Sequence, residues 1–256
     1  MATYRANMEG LKPETHYLYR AGDGKNWGEW NGFCTASDQP KRFRFLYVGD
    51  AQNDIKSQWS RCIRAAYARL PKAAFIVHAG DLVASGYRDD LWGEWYDAMG
   101  FIAAGIPALP VVGNHELEKP KGAPPSLVLP AIWRKEFAYP LNGPDVTEDE
   151  SFYIDYQGVR FISLNVNRME NEKQFDENRA TIEQQVAWVE KALKNNPNHW
   201  TIVCQHQALY SMAQKRNYAR MREMLLPAYG TIIFTRAATK SPAAKSSPRT
   251  LPESCT

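Results

Sequence analysis

The sequence predicts an α/β fold. Two observations carry this. From Lys41 to about Thr235, apolar runs of strand length alternate with segments whose apolar residues recur at helical spacing. Four short polar clusters also each follow directly on a strand-like run, the position at which open α/β sheets bind ligands. A chain of 256 residues holds one large domain or a domain plus a smaller piece. Its 44% apolar and 23% charged residues exclude wholesale disorder, collagen and a disulfide scaffold.

The elements follow in order. Before Ala36, the runs TYRANM and HYLYRAG, separated by Lys12-Pro13 and Gly22-Asp23-Gly24, read as β-strands joined by turns. This segment is too small to close a core alone. Ser37-Asp38-Gln39-Pro40 is a turn-rich linker. Phe43 to Val48 is a strand, and Trp59 to Leu70 a helix with Trp59, Ile63, Ala66 and Leu70 on one stripe. Ala74 to Ala79 is a second strand, Leu91 to Ala103 a second helix, and Ile106 to Val112 a third strand. This order implies right-handed crossovers between parallel neighbours. Ser151 to Tyr156 and Arg160 to Asn165 flank Gln157-Gly158 as a hairpin. Ala180 to Leu193 is a third helix, with Ile182, Val186, Val189 and Leu193 in step, and Trp200 to Cys204 a further buried strand.

Residues 236–256 are rich in Ser, Pro, Ala and Lys and poor in large apolar side chains, so a disordered tail is expected there. Arg236, Lys240, Lys245 and Arg249 against Glu253 account for the whole net charge of +3. The body is therefore neutral, and its charge gives no reason to expect nucleic acid as a partner. No run reaches the length of a membrane span, and MATYRANMEG lacks the apolar stretch of a signal peptide, so a soluble chain without a leader is expected. Cys34, Cys62, Cys204 and Cys255 are too scattered for a metal clip.

The polar clusters are Gly49-Asp50-Ala51-Gln52, Gly80-Asp81, Gly113-Asn114-His115-Glu116 and Gln205-His206. Each of the first two intervals leaves about thirty residues, room for one crossover helix and the return. A lone Gly-Asp after a strand is commonly an Asx-turn or a helix cap. Four clusters in register along one sheet point instead to a shared site. Carboxylates, an amide oxygen and an imidazole form a mixed oxygen and nitrogen set that suits zinc, manganese or iron and is less like a thiolate structural site. Strands about 4.8 Å apart can present ligands to two ions separated by about 3.5–4 Å. His78 lies inside a strand and reads as a satisfied structural histidine; His16 and His199 read as surface or strand-end residues. Nucleotide-binding glycine motifs and a GxSxG elbow are absent from the sequence.

Gly49-Asp50, Gly80-Asp81, Gly113-Asn114-His115-Glu116 and Val203-Cys204-Gln205-His206, in that order, resemble the signature of the calcineurin-like metallophosphoesterases. Within them, Ala208-Leu209-Tyr210-Ser211 is similar to the purple acid phosphatases. Leu11, Pro13, Thr15, Tyr17, Tyr19-Arg20 and then Phe33-x-Thr35 resemble the last strands of the fibronectin type III-like domain that precedes the catalytic domain in that subgroup. The resemblance implies a metallophosphoesterase-type α/β sandwich over residues 41–235, preceded by a partial fibronectin type III-like β domain over 1–36. It implies two metal ions, a small phosphorylated substrate and hydrolysis of phosphate monoesters, with phosphodiesters or nucleotides as the alternative. Asp50 is then a ligand of the first ion, Asp81 the bridge, and Asn114 and His206 ligands of the second. His115 stabilises the transition state or protonates the leaving group.

Three departures qualify this. The subgroup has a tyrosine three residues after the bridging aspartate, where this chain has Ala84, with Tyr87 three residues later; purple colour is not expected. Gln52 stands where the wider family has a histidine ligand, and an amide is a weaker ligand. The family's closing GHxH is missing: no histidine follows His206. The expectation is a domain cut at both ends with a foreign C-terminus, which is either an active phosphoesterase or a non-catalytic remnant that holds metal weakly.

Overall fold

The computed structural model describes residues 4–118, 122, 127–147, 149–214 and 216–230. The expected tail, Thr231 to Thr235 and much of the loop between Glu118 and Leu127 lie outside the described residues. In chain order the elements are β1 (His16–Tyr19), β2 (Asn31–Cys34), β3 (Leu46–Val48), a π-helical turn Ile55–Trp59 leading into α1 (Ser60–Arg69), and β4 (Ile76–His78). Then come α2 (Asp89–Met99), α3 (Phe101–Gly105), β5 (Ala108–Pro110), α4 (Ala131–Glu136), β6 (Phe152–Tyr156) and β7 (Val159–Leu164). The series ends with α5 (Glu172–Glu177), α6 (Arg179–Lys194), β8 (Trp200–Gln205) and α7 (Ala219–Tyr229).

Two three-stranded sheets face each other. β3, β4 and β5 are parallel neighbours in sequence order, as the strand and helix rhythm predicts. In the second sheet β6 and β7 form the expected hairpin, and β8 runs parallel to β7. The alternation of strand side chains divides the apolar residues into three layers. Phe75, Val77, Leu109, Val111, Phe152, Phe161 and Cys204 pack between the sheets, where Phe45 stacks on Phe75 at 5.4 Å. Ile63, Ile76, Trp92, Trp95, Met99 and Ile102 join the first sheet to α1, α2 and α3. Ile162, Leu164, Val203, Ile182, Val189, Met221 and Leu225 join the second to α6 and α7. The result is helix, sheet, sheet, helix, with each sheet buried on both faces.

Several boundaries differ from the sequence reading. The three parallel strands are shorter than the apolar runs, although single ladder bonds continue beyond them, such as Ala74 N–H to Arg44 O at 2.8 Å and Ala79 N–H to Val48 O at 2.7 Å. The helix expected from Leu91 to Ala103 is two helices, broken at Gly100, whose φ of 51° leaves the helical region. The short helices α4 and α5 carry too little periodicity to be seen in sequence. Pro227 interrupts the pattern of α7. Before β3, the only named strand pair among the described residues is antiparallel β1–β2, docked on α3 through Tyr19 Oη donating to the Ala104 carbonyl at 2.8 Å. No strand forms in TYRANM among its described residues, and a two-stranded ladder is too little to assign a fibronectin type III-like fold. Among the described residues, no helix is long and apolar enough to cross a membrane.

Candidate metal centre

The turns after β3, β4, β5 and β8 converge at one end of the two sheets, with Gln205-His206 coming from the second sheet rather than from the single sheet expected. Ladder bonds run past the strand ends into the first two turns: Asp50 N–H donates to Gly80 O and Gln52 N–H to Asp81 O, both at 3.1 Å. Asp50 and Asp81 sit at φ of 54° and 55°, left-handed conformations that aspartate tolerates better than most residues and that the flanking ladder holds in place. Glycine makes the approach of the other turns possible. A Cβ on Gly113 would lie 2.3 Å from Asp81 N and 2.4 Å from Asp81 Oδ1; one on Gly80 would lie 2.6 Å from His206 Nδ1.

Asp50, Asp81 and His206 each offer a ligand atom, and these atoms lie within 4.8 Å of one another. Asp81 is at the centre. Its Oδ1 accepts from the His115 backbone N–H at 3.0 Å, its Oδ2 accepts from Gln52 Nε2 at 2.9 Å, and His206 Nε2 lies 3.3 Å from Oδ2. His206 Nδ1 lies 2.7 Å from the Ala79 carbonyl, so a proton on Nδ1 is satisfied there and Nε2 is directed at Asp81. Burial lowers the His206 pKa, but the hydrogen bond and charge of Asp81 outweigh it and raise the imidazole to about 9. Burial likewise raises the Asp81 carboxyl, and the His206 bond and charge reverse this to a net lowering.

Gln52 is 5% exposed, and its Oε1 has no hydrogen-bond partner among the described residues. An orphaned acceptor on the amide that already touches Asp81 fits a cation held by this group, as does the mixture of carboxylate, amide and imidazole. Asn114 is half-buried between Gly113 and His115, in the turn that leads into a 3-10 segment, His115–Leu117. His115 Nδ1 lies 2.9 Å from the Ala84 carbonyl and 2.8 Å from Glu118 Oε2, while Nε2 faces Asp81 Oδ2 at 4.0 Å. All six sequence-predicted site residues thus lie on the converging turns. Tyr87 Oη donates to the Val128 carbonyl at 2.5 Å. His16 and His199 are exposed at the starts of β1 and β8. His78 is buried and flanked by the rings of Trp59 and Trp95, but it is not the satisfied histidine expected: among the described residues its Nε2 has no hydrogen-bond partner.

Sequence reasoning missed two groups. Glu116 is fully buried, and its carboxylate accepts from the backbone N–H groups of Asp81, Leu82 and Gly113 at 2.7–2.8 Å. Burial first, then the Asp81 charge, raise its pKa to about 7. The second group follows β7. Asn167 Nδ2 donates to the Val112 carbonyl at 3.2 Å and Gln207 Nε2 to Asn167 Oδ1 at 2.6 Å, joining the ends of the two sheets. Glu170 is next in line, its carboxyl raised by burial and within the electrostatic reach of His206, Arg216, Asp81 and His115. Asn165-Val166-Asn167 is a polar cluster directly after a buried strand, the same signal that marked the other four.

The family model for calcineurin-like phosphoesterases matches residues 43–235. The chain belongs to the calcineurin-like phosphoesterase family. The sandwich architecture agrees with its solved structures. The purple acid phosphatase PPD1 of yellow lupin (Lupinus luteus) superposes with a TM-score of 0.61 at 18% identity, covering 80% of this chain and 38% of the lupin chain. PhoD superposes at 0.60 and 15% identity, covering 86% of this chain and 55% of that one. Two uncharacterized proteins of Mycobacterium tuberculosis, MT2654 of strain CDC 1551 / Oshkosh and Rv2577 of strain ATCC 25618 / H37Rv, are 26% identical over 251 residues, covering 88% of this chain. The chain spans 46% of the length of these curated relatives. Within the family match, Asp50, Asp81 and His206 form an Asp/His group of a kind that can hold a metal ion.

Proposed function

We propose that this phosphoesterase domain hydrolyses phosphate monoesters, in the manner of an acid phosphatase, at two metal ions of iron, zinc or manganese type. The single observation that carries the reading is the convergence of Asp50, Asp81 and His206 within 4.8 Å at the ends of two facing sheets. In this reading Asp50, with Gln52 as a weaker ligand, would hold the first ion, Asn114 and His206 would hold the second, and Asp81 would serve both. The ions, when bound, supply Lewis acidity and neutralise charge at phosphorus. The protein's own part is positional and protic. Gln52 and the His115 backbone fix the Asp81 carboxylate. The His115 ring, braced at Nδ1 by Ala84 and Glu118, presents Nε2 for transfer of a proton to the departing alkoxide as the ester P–O bond breaks and the P–O bond to water forms.

The test is turnover of an aryl phosphate with added manganese, zinc or iron, in the wild type and in Asp81→Asn and Asn114→Ala. Activity that depends on metal and drops by at least tenfold in both variants supports the reading. Equal activity in all three sinks it. A second reading has one observation in its favour: no histidine follows His206, so the family's last imidazole pair is missing from the sequence. A chain of this kind would hold metal weakly and turn over nothing. Metal titration decides, because two tight equivalents contradict it.

A further inference from the structure

We propose that Glu116 is a positioning residue that sets the spacing between the Asp81 and Asn114 turns and so fixes the geometry of the metal centre. This deepens the reading above and rests on it. Oε2 of Glu116 accepts from Asp81 N–H and from Gly113 N–H, each at 2.8 Å, so one oxygen spans the ends of β4 and β5. Oε1 accepts from Leu82 N–H at 2.7 Å and more weakly from Val83 N–H at 3.4 Å. A Cβ on Gly113 would lie 2.8 Å from Oε2, so only glycine admits the carboxylate this closely. The residue is 0% exposed, and both oxygens are occupied by backbone donors.

A carboxylate used up in this way acts through the residues whose amides it binds. Those amides belong to Asp81 itself and to the residue just before Asn114. A buried acceptor between two turns holds them at one separation, whereas neutral or shorter side chains cannot satisfy all of these donors. In Glu116→Gln an NH₂ group confronts amide N–H groups that point the same way. In Glu116→Asp the charge is kept, but the side chain is one methylene too short to hold both turns.

The experiment is manganese titration of the full chain in three forms: wild type, Glu116→Gln and Ser163→Ala. Glu116→Asp replaces Glu116→Gln if the latter does not fold, as judged by circular dichroism. Ser163 is buried between the sheets, donating to the Pro110 carbonyl at 2.9 Å, and serves as a destabilised control. The expected result is a dissociation constant for manganese weaker by about 10–100-fold in the Glu116 variant and unchanged in Ser163→Ala, as found for groups that orient metal ligands. Manganese binding by the folded Glu116 variant within twofold of wild type overturns the proposal and leaves the metal-centre reading standing. A wild type that binds no manganese overturns both.

Discussion

His206 Nε2 lies 3.3 Å from Asp81 Oδ2, a contact that joins the end of β8 to the end of β4 and so ties one sheet to the other at the centre. Without metal this is a buried ion pair, the imidazole raised and the carboxyl lowered. A pair of this kind is expensive to break on one side only, by about 3–5 kcal/mol, because the remaining charge is left buried. His206→Ala should therefore lower the melting temperature without metal. It should also abolish the gain that metal gives the wild type, about 2.7 kcal/mol at a hundredfold excess over the dissociation constant. Thermal melts with and without manganese check this; an undiminished metal-induced shift in His206→Ala contradicts it.

Glycine carries much of the convergence, and its effect depends on place. Gly113→Ala puts a Cβ 2.3 Å from the Asp81 nitrogen, a backbone atom that cannot yield without moving the Asp81 turn. The expected destabilisation is about 1–3 kcal/mol together with impaired metal binding. Gly93, inside α2, has nothing within 4 Å of its would-be Cβ. Gly93→Ala should stabilise by about 0.5–1 kcal/mol through helix propensity alone. Denaturant midpoints of the two variants should move in opposite directions.

What was legible in the sequence follows the physics of each signal. Largely buried parallel strands read as apolar runs, and the polar cluster after each is dictated by where a sheet ends, so Asp50, Gln52, Asp81, Asn114, His115 and His206 could be placed from sequence. The stripe of α6 was equally clear, with Ile182 and Val189 fully buried. Glu116 was not legible as anything but part of a motif, because its role lies in backbone amides that only the folded turns bring together. Asn167 and Glu170 were missed although Asn165-Val166-Asn167 follows a buried strand as the other clusters do, because two amides without a carboxylate or imidazole make no ligand motif and Glu170 lies beyond the turn. The helix break at Gly100 was hidden because apolar spacing continues across it, through Met99 and Ile102, while the backbone does not.

Gln52 offers a gain-of-function prediction. Its amide donates to Asp81 and leaves Oε1 without a partner among the described residues, an arrangement in which an imidazole of similar reach would be the better metal ligand. Gln52→His should bind manganese or zinc at least several-fold more tightly than wild type, measured by equilibrium dialysis. An unchanged constant would place residue 52 outside the coordination sphere.

Thiol reactivity should follow burial. Cys34 and Cys62 are exposed, while Cys204 is 1% exposed between the sheets, where burial pushes its thiol up to about 12. Since the thiolate is the reactive form, alkylation of the native protein should modify Cys34 and Cys62 and spare Cys204 until the chain is unfolded. Peptide mass mapping after a short exposure to iodoacetamide reads this directly, and early labelling of Cys204 would contradict the packing between the sheets.

The apolar setting of His78 predicts an acid sensitivity unrelated to the metal centre. His78 is 1% exposed, its ring 5.1 Å from that of Trp95, and burial holds its pKa at about 3 against an ordinary 6.5. Above pH 6.5 the imidazole is neutral in folded and unfolded chains alike, and pH has no effect through it. Below 6.5 the unfolded chain takes up a proton that the folded protein refuses. Stability therefore falls, by about 1.4 kcal/mol per pH unit, until the folded-state value is reached. His78→Leu removes this contribution while keeping an apolar side chain between the tryptophans. Carboxylates titrate in both proteins, so the difference between the two isolates His78. Urea unfolding at pH 6.5, 5.5 and 4.5 should show wild type losing stability more steeply than His78→Leu by about that amount per unit, and parallel slopes would mean that His78 is charged, or solvated, within the fold.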